Sequence, residues 1–316
     1  MKWLITGGAG YIGSHVTKAM IEGGESAIVY DNLAAGLAKR VEGIAPVEVG
    51  DIRDIDTVKT VLLKYKINGI IHLAAKKSVE ESERLPDEYE AVNHGGTQVL
   101  LQAAKDCNVE AFLFSSTAAV YGNPSAGFVD EQSPTAPISP YGATKLKAEE
   151  AINKFINDGV LKATSLRYFN VAGAANKKLA DTSKSNLIPM VLDAIKRGQQ
   201  PQIYGDNYPT KDGTCIRDYV HVEDIAAAHL LASKALFASE LPPCLNIGTG
   251  VGYSVQEVIN ALLRESNSDL QPLIALARPG DSASLVANIA LAKAILNFTA
   301  SRGLDEIVHS STAYQC

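Results

Sequence analysis

Three glycines spaced three residues apart, Gly7, Gly10 and Gly13, follow directly on the short apolar run Leu4-Ile5-Thr6. A helical pattern from His15 to Glu22 comes next. No other feature of the chain restricts its folding as much. Glycines in that order, between a strand and a helix, permit a tight turn, let the backbone approach a pyrophosphate, and let the helix pack closely on the strand. The helix start then points its unpaired N–H groups and the positive end of its dipole at the phosphates. Tyr11 and Ile12 lie inside the same loop and share its expected contact with a dinucleotide. The Gly-x-x-Gly-x-x-Gly spacing differs from the Gly-x-Gly-x-x-Gly form of the dehydrogenase motif.

The pattern set by this first unit repeats. Ala27-Ile28-Val29-Tyr30, Val47-Glu48-Val49, Ile70-Ile71-His72-Leu73, Ala111-Phe112-Leu113-Phe114 and Thr164 to Phe169 read as strands, and most lack alternation. Continuous apolar runs suit strands buried on both faces of a parallel sheet. Thr57 to Tyr65 and Gly95 to Asp106 carry helical periodicity between them. The alternation predicts an α/β fold: a doubly wound parallel sheet of the Rossmann type with a smaller mixed α/β substrate domain. Past Asn170 the rhythm breaks, with brief strands at Gln202-Ile203-Tyr204 and Leu245-Asn246-Ile247. The expected division is 1–170, plus a helix at about 217–238, for the dinucleotide-binding domain, and 171–216 with 239–316 for the substrate domain.

Asp31 ends the second strand, 18 residues after Gly13. A carboxylate at that place accepts hydrogen bonds from the adenosine ribose hydroxyls and repels a 2′-phosphate, and Asn32 and Leu33 beside it are not basic. The cofactor expected is therefore NAD rather than NADP. Gly50-Asp51-Ile52 after the third strand faces the adenine in this scheme, and Leu73-Ala74-Ala75 after the fourth offers small residues for close backbone approach. Hydroxyls cluster at the end of the fifth strand, in Ser115-Ser116-Thr117. In such sheets ligands bind at the carboxyl ends of the strands. Downstream, Ser139-Pro140-Tyr141-Gly142-Ala143-Thr144-Lys145 predicts a helix start, with Ser139 as cap and Pro140 in the first turn. Tyr141 and Lys145 then share one face, which places the ammonium near the phenol. A nearby cation favours phenolate, and moving a phenol from about 10 to about 7 takes roughly 4 kcal/mol of differential interaction.

Composition narrows the function. Of 316 residues 46% are apolar and 20% charged, which suits a soluble globular chain, and the net charge of −6 argues against non-specific nucleic-acid binding. No run approaches the roughly 18 apolar residues of a membrane span, and the stretch before Gly7 is too short for a signal-peptide core. Cys107, Cys215, Cys244 and Cys316 are scattered, without Cys-x-x-Cys pairs or metal spacing, and read as buried free thiols. No metal site is expected, and the reading is of a cytoplasmic protein. His72, His94 and His221 read as packing or surface groups.

Glycine loop, acidic second-strand end, hydroxyl-rich fifth-strand end and Tyr-x-x-x-Lys stand here in one order. The chain resembles the extended short-chain dehydrogenase/reductase superfamily and, within it, the UDP-hexose 4-epimerases, over nearly its whole length to about residue 290. Thr6 to His15, Tyr30 to Asn32, Gly50 to Arg53, Leu166 to Asn170 and Arg217 to Val222 carry the likeness, and Tyr208 to Thr214 is its most specific segment. The resemblance implies a catalytic set of Thr117, Tyr141 and Lys145. It implies NAD contacts at Asp31, Asn32, Asp51, Ile52, Leu73, Ala74, Lys77, Asn93, Lys145 and Tyr168. It implies UDP contacts at Asn170, Asn186, Leu187, Gln202, Ile203, Tyr204, Arg217, Arg278 and Asp281, the two arginines clamping the diphosphate.

The implied substrates are UDP-galactose and UDP-glucose, interconverted through transient oxidation at sugar C4, with Tyr141 as base and NAD regenerated each turn. Dehydratases need acidic groups beside the threonine, and decarboxylases place a glutamate there; Ala118 and Ala119 carry no proton. Alternatives are an epimerase of another UDP-sugar (UDP-N-acetylglucosamine or UDP-glucuronate) and, from another class, a catalytically silent NAD-binding sensor. Leu285 falls where relatives place a residue lining the sugar pocket, and its size is intermediate. The tail from Leu296 to Cys316 matches the family ending poorly. The resemblance also implies a homodimer through helices around Gly95 to Asp106 and Tyr141 to Phe155.

Overall fold

A computed structural model describes every residue except 126, 184, 279 and 316, and also leaves out the side chain of Gln315. The reading of Cys316 as a buried thiol lies outside the described residues. Apolar strands need cover on both faces, and the chain supplies it. Among the described residues, seven strands form one parallel sheet: β1 (Lys2–Thr6), β2 (Ser26–Asp31), β3 (Val47–Val49), β4 (Gly69–His72), β5 (Ala111–Thr117), β6 (Lys162–Tyr168) and β7 (Cys244–Ile247). Their order is β7-β6-β5-β4-β1-β2-β3. In register, Thr6 lies beside Tyr30 on one side and His72 on the other. Strand order reverses at β1, so the crevice for a ligand opens beyond the carboxyl ends of β1 and β4.

One face is closed by α1 (Tyr11–Glu22) and a later helix, Val222–Ala238, with Val16, Met20, Ile225, Ala228 and Leu236 packed on Trp3, Ile5 and Leu113. The other is closed by α2 (Ile55–Tyr65), α3 (Gly96–Asp106) and α4 (Pro140–Asn157), whose Val58, Leu100, Leu101 and Ile152 meet Leu4, Ile70 and Phe112. The helix ending at Ala238 is numbered α5.

The smaller unit has its own sheet, in which Ile216–His221 pairs with Gly252–Ser254, Ser284–Ala287 and Asn170–Ala172. Its core lies between helices Leu187–Lys196, Val255–Glu265 and Leu304–Gln315. Three memberships differ from the expected division. Residues 217–221 are strand, and α5 begins only at Val222. Cys244–Ile247, expected in the substrate domain, is the edge strand of the large sheet beside β6. Ala292, Leu296 and Phe298 are buried in the first core. The atypical tail is firmly held: Ile307 and Val308 are buried in the second core, and Asp224 at the start of α5 accepts bonds from Ser301 and Arg302.

Candidate active site

The glycine loop is shaped by what it must leave room for. A Cβ at Gly7 would lie 2.6 Å from the Ala74 nitrogen, and one at Gly13 would lie 2.1 Å from the Gly7 carbonyl oxygen. Gly7 thus meets the Leu73-Ala74 backbone across the switch point, and Gly13 lets α1 begin against the turn. Gly10 caps α1 without any side-chain hydrogen bond, and no acidic residue occupies the first turn. That leaves the helix start free for an anion. The residues fit a dinucleotide: a backbone cradle closed to any Cβ, and a carboxylate beside it.

That carboxylate is Asp31, which accepts from the Ala9 nitrogen (3.1 Å) and the Leu33 nitrogen (2.9 Å). Burial pushes its pKa up while these two bonds hold it down. Exposed Asn32 adjoins Asp51, and Asp51 is tied to Arg53 at 2.7 Å. The Ile52 side chain is buried in the sheet core. Tyr11 points away from the loop and donates to the Gly173 carbonyl at 2.5 Å.

Beyond β4, Asn93 sits in a π-helical turn, Glu90–Gly95, that leads into α3. Such turns are rare and frequently functional. Its amide accepts from the Lys76 nitrogen (2.8 Å) and donates to the Lys76 carbonyl (3.0 Å) and the Thr144 hydroxyl (3.2 Å). Asn93 therefore fastens the loop that carries Lys77, itself exposed, to α4. His72 is buried between the Thr6 and Thr97 hydroxyls. His94 bonds Glu90, and His221 lies between the Glu223 nitrogen and the Ser310 hydroxyl.

Helix α4 starts as its sequence dictates, with Ser139 accepting from the Gly142 nitrogen and Pro140 in the first turn. This brings Tyr141 to the end of β5, where its phenol lies against the Thr117 side chain. Tyr89 packs edge-on to its ring at 6.5 Å. The expected ammonium–phenol arrangement needs correction. Lys145 is buried, and its Nζ donates to the Ser115 carbonyl at 2.7 Å and lies 4.6 Å from the Phe114 ring centre. Burial raises the Tyr141 pKa, with the Thr117 side chain opposing. Burial also draws Lys145 down to about 7, against the pull of Glu149. Both groups are desolvated with little counter-charge, so the chain alone does not produce a ready phenolate.

Tyr168, expected at the cofactor, is buried in the first core with its hydroxyl on His229 Nε2 and the Ser115 side chain close by. Its neighbour Phe169 packs instead with Ala118, Tyr121 and Leu285. The sequence reading gave no role to Phe169 or His229. Alternation at a strand end is the signal for the first; the His229 contact spans too much sequence to be read.

In the smaller unit Arg217 donates to the Ile216 and Ser282 carbonyls and lies 3.5 Å from Asp281. Arg278, exposed, stacks 3.9 Å over the Tyr204 ring. Tyr204 donates to Gln202 at 2.8 Å, and Asn186 donates to Asp181 at 2.7 Å. Leu187 opens the helix after Asn186. The Ile203 side chain is buried in the second core, which leaves only its backbone for a ligand. Asn170 is exposed beside Phe169, and Leu285 pairs in register with Arg217.

A crevice of this shape, with a serine–threonine strand end facing a tyrosine and a buried lysine, defines a nucleotide-dependent enzyme of the short-chain type. The chain belongs to the NAD dependent epimerase/dehydratase family, whose sequence model matches residues 3–248. It is 41% identical over 304 residues, 95% of this chain and 92% of the relative, to the UDP-glucose 4-epimerase of Streptomyces lividans. A UDP-glucose 4-epimerase structure from Stenotrophomonas maltophila, with bound NAD and formylated UDP-arabinopyranose, superposes with a TM-score of 0.95 at 36% identity, covering 100% of this chain and 98% of that one. The UDP-Glc/GlcNAc 4-epimerase of Campylobacter jejuni superposes with a TM-score of 0.87 at 36% identity, covering 99% and 98%. Among the described residues no helix is long and apolar enough to cross a membrane.

Proposed function

We propose that the protein is a UDP-glucose 4-epimerase, interconverting UDP-galactose and UDP-glucose through transient oxidation at sugar C4. One observation carries this reading: the Tyr141 phenol lies against the Thr117 side chain at the carboxyl end of the sheet, beside Ala118 and Ala119, which offer no acid for elimination or decarboxylation. The cofactor cradle is Gly7, Gly10 and Gly13 for the pyrophosphate, Asp31 for the adenosine ribose, and Lys145 for the nicotinamide ribose. Held there, NAD would supply hydride acceptance and return and a positive charge.

Burial raises the Tyr141 phenol, and a cation in the site would favour its ionised form. Tyr141 then takes the proton of the 4-hydroxyl at Oη and gives it back after the keto sugar has turned over. Thr117 holds the reacting oxygen. Arg217, with Arg278 and Tyr204 nearby, anchors the UDP moiety while the sugar rotates. Leu285 and Phe169 line the side on which the sugar moves, and leucine's intermediate bulk makes UDP-N-acetylglucosamine the second substrate to try. A cytoplasmic homodimer through the outer faces of α3 and α4 completes the reading.

The test is conversion of UDP-galactose to UDP-glucose by purified protein without added NAD. Tyr141→Phe is expected to lower kcat by about 10²- to 10⁴-fold, the usual share of a general base, while retaining NAD. Failure on UDP-galactose, UDP-N-acetylglucosamine and UDP-glucuronate, with NAD bound, would leave a binding protein.

A further inference from the structure

One turn beyond Lys145 on α4, a carboxylate sits in the core. Glu149 is 3% exposed and accepts from Arg167 of β6 through Nε (3.0 Å) and Nη2 (2.6 Å). It also accepts from the Ser116 hydroxyl. Ser116 lies between Ser115, whose carbonyl receives Lys145, and Thr117, which meets Tyr141. Arg167 continues outward to the Tyr121 hydroxyl (3.0 Å), which donates to Asn246 of β7 (2.7 Å). Tyr141, Lys145 and Glu149 follow at intervals of four residues, so one helix face carries all three.

We propose that Glu149 is a positioning residue for this active site: with Ser116 and Arg167 it clamps the end of β5 to α4, and so sets both Thr117 against Tyr141 and the Ser115 carbonyl against Lys145. This rests on the reading of Tyr141 and Lys145 given above. A buried ion pair is an expensive way to hold two elements together, since apolar residues of similar volume commonly serve stability as well. Here the pair occupies the place where the helix and the strand end must be fixed relative to each other. A reacting geometry loses about 10²-fold in rate from a misplacement of about 1 Å.

The clamp also sets the charge that Lys145 meets. Bearing on it are Glu149 one turn along its own helix, the Ser115 carbonyl and the Phe114 ring on β5, and neutral His72 on β4. Glu149 is the carboxylate that bears on the ammonium, and its attraction favours the charged form. Removing it lets the lysine lose its proton at lower pH.

The experiment uses the NAD-loaded enzyme and two variants. Glu149→Gln combined with Arg167→Met removes the pair without leaving a lone buried charge; Ser116→Ala breaks only the strand limb and keeps the pair. The double variant is expected to lower kcat roughly tenfold or more with KM changed less than about twofold, as a loss confined to the transition state does. The alkaline limb of its kcat profile should move to lower pH. The Lys145 ammonium, followed by nitrogen NMR in lysine-labelled protein, should titrate at correspondingly lower pH. Ser116→Ala should lower kcat roughly three- to tenfold, the size of one hydrogen bond, with the alkaline limb in place. Wild-type kcat in Ser116→Ala, or an unmoved lysine midpoint in the double variant, overturns the proposal. Because the lysine titration is read without turnover, a wild-type enzyme inactive on every UDP-sugar would sink the function while leaving this result readable. If the double variant does not fold, Ser116→Ala decides.

Discussion

The Thr117 hydroxyl meets two demands at once. It accepts from the Ala119 nitrogen at 3.2 Å and lies against the Tyr141 phenol, whose pKa it pulls down against burial. Thr117→Val keeps the shape and removes both the bond to the Ala119 nitrogen and the polar group beside the phenol. The phenol then sits higher, more alkali is needed to form phenolate, and the acid limb of kcat moves to higher pH. We expect kcat to fall roughly 10- to 100-fold at neutral pH, the range for a hydrogen bond to a charged group. A pH–rate profile that drops without shifting would show Thr117 to act by shape alone. The presence of Thr117, Tyr141 and Lys145 was legible because strand end, cap and i, i+4 spacing are local facts. The direction of the Lys145 side chain was not, since the Ser115 carbonyl that captures it lies 30 residues away.

Whole elements divide in the same way. Helix α4 begins where Ser139 and Pro140 said it would, because a cap acts within one turn. Ser139→Ala removes the bond to the Gly142 nitrogen and is expected to cost about 1 kcal/mol of stability, measured by urea denaturation. Since Tyr141 sits in that first turn, kcat should fall as well; unchanged activity would mean that Tyr89 packing alone holds the tyrosine. The strand Ile216–His221 was misread as helix, and the reason is Asp218. A carboxylate inside a strand hides the pattern, and this one is satisfied by the nitrogens of Thr249, Gly250 and Ala287, far along the chain. The edge strand Cys244–Ile247 was equally illegible in its membership, because Leu245 pairs with Leu166 across a long stretch of sequence. The tail was opaque for a similar reason, its anchors being Asp224 and the second core.

At the scale of the molecule, four buried histidines serve as neutral rings, two of them holding the large-sheet unit together and two reaching the smaller unit. His15 on α1 accepts from the Ala175 nitrogen at 3.1 Å, and His221 joins α5 to Ser310 of the last helix. His229 meets Tyr168, and His72 spans Thr6 and Thr97. Burial draws His15, His221 and His229 down to about 4, and His72 well below its usual value. The unfolded chain takes up protons near pH 6.5, which the folded one refuses until far lower. The histidines' contribution to stability is therefore full above about 6.5 and is lost as pH falls towards 4, each adding a slope of about 1.4 kcal/mol per pH unit inside that window. Asp31 and Asp218, raised by burial, gain protons in the fold nearer the acid end and oppose the decline there. Urea midpoints at fixed NAD occupancy, taken between about pH 7.5 and 5.5, avoid that region. The midpoint should fall with unchanged m-value, most steeply below about pH 6.5, and His15→Gln should make that slope shallower by one proton. A flat profile would mean that the histidines titrate freely in the fold, and that the contacts from α1 to the segment after β6 open well before the molecule unfolds.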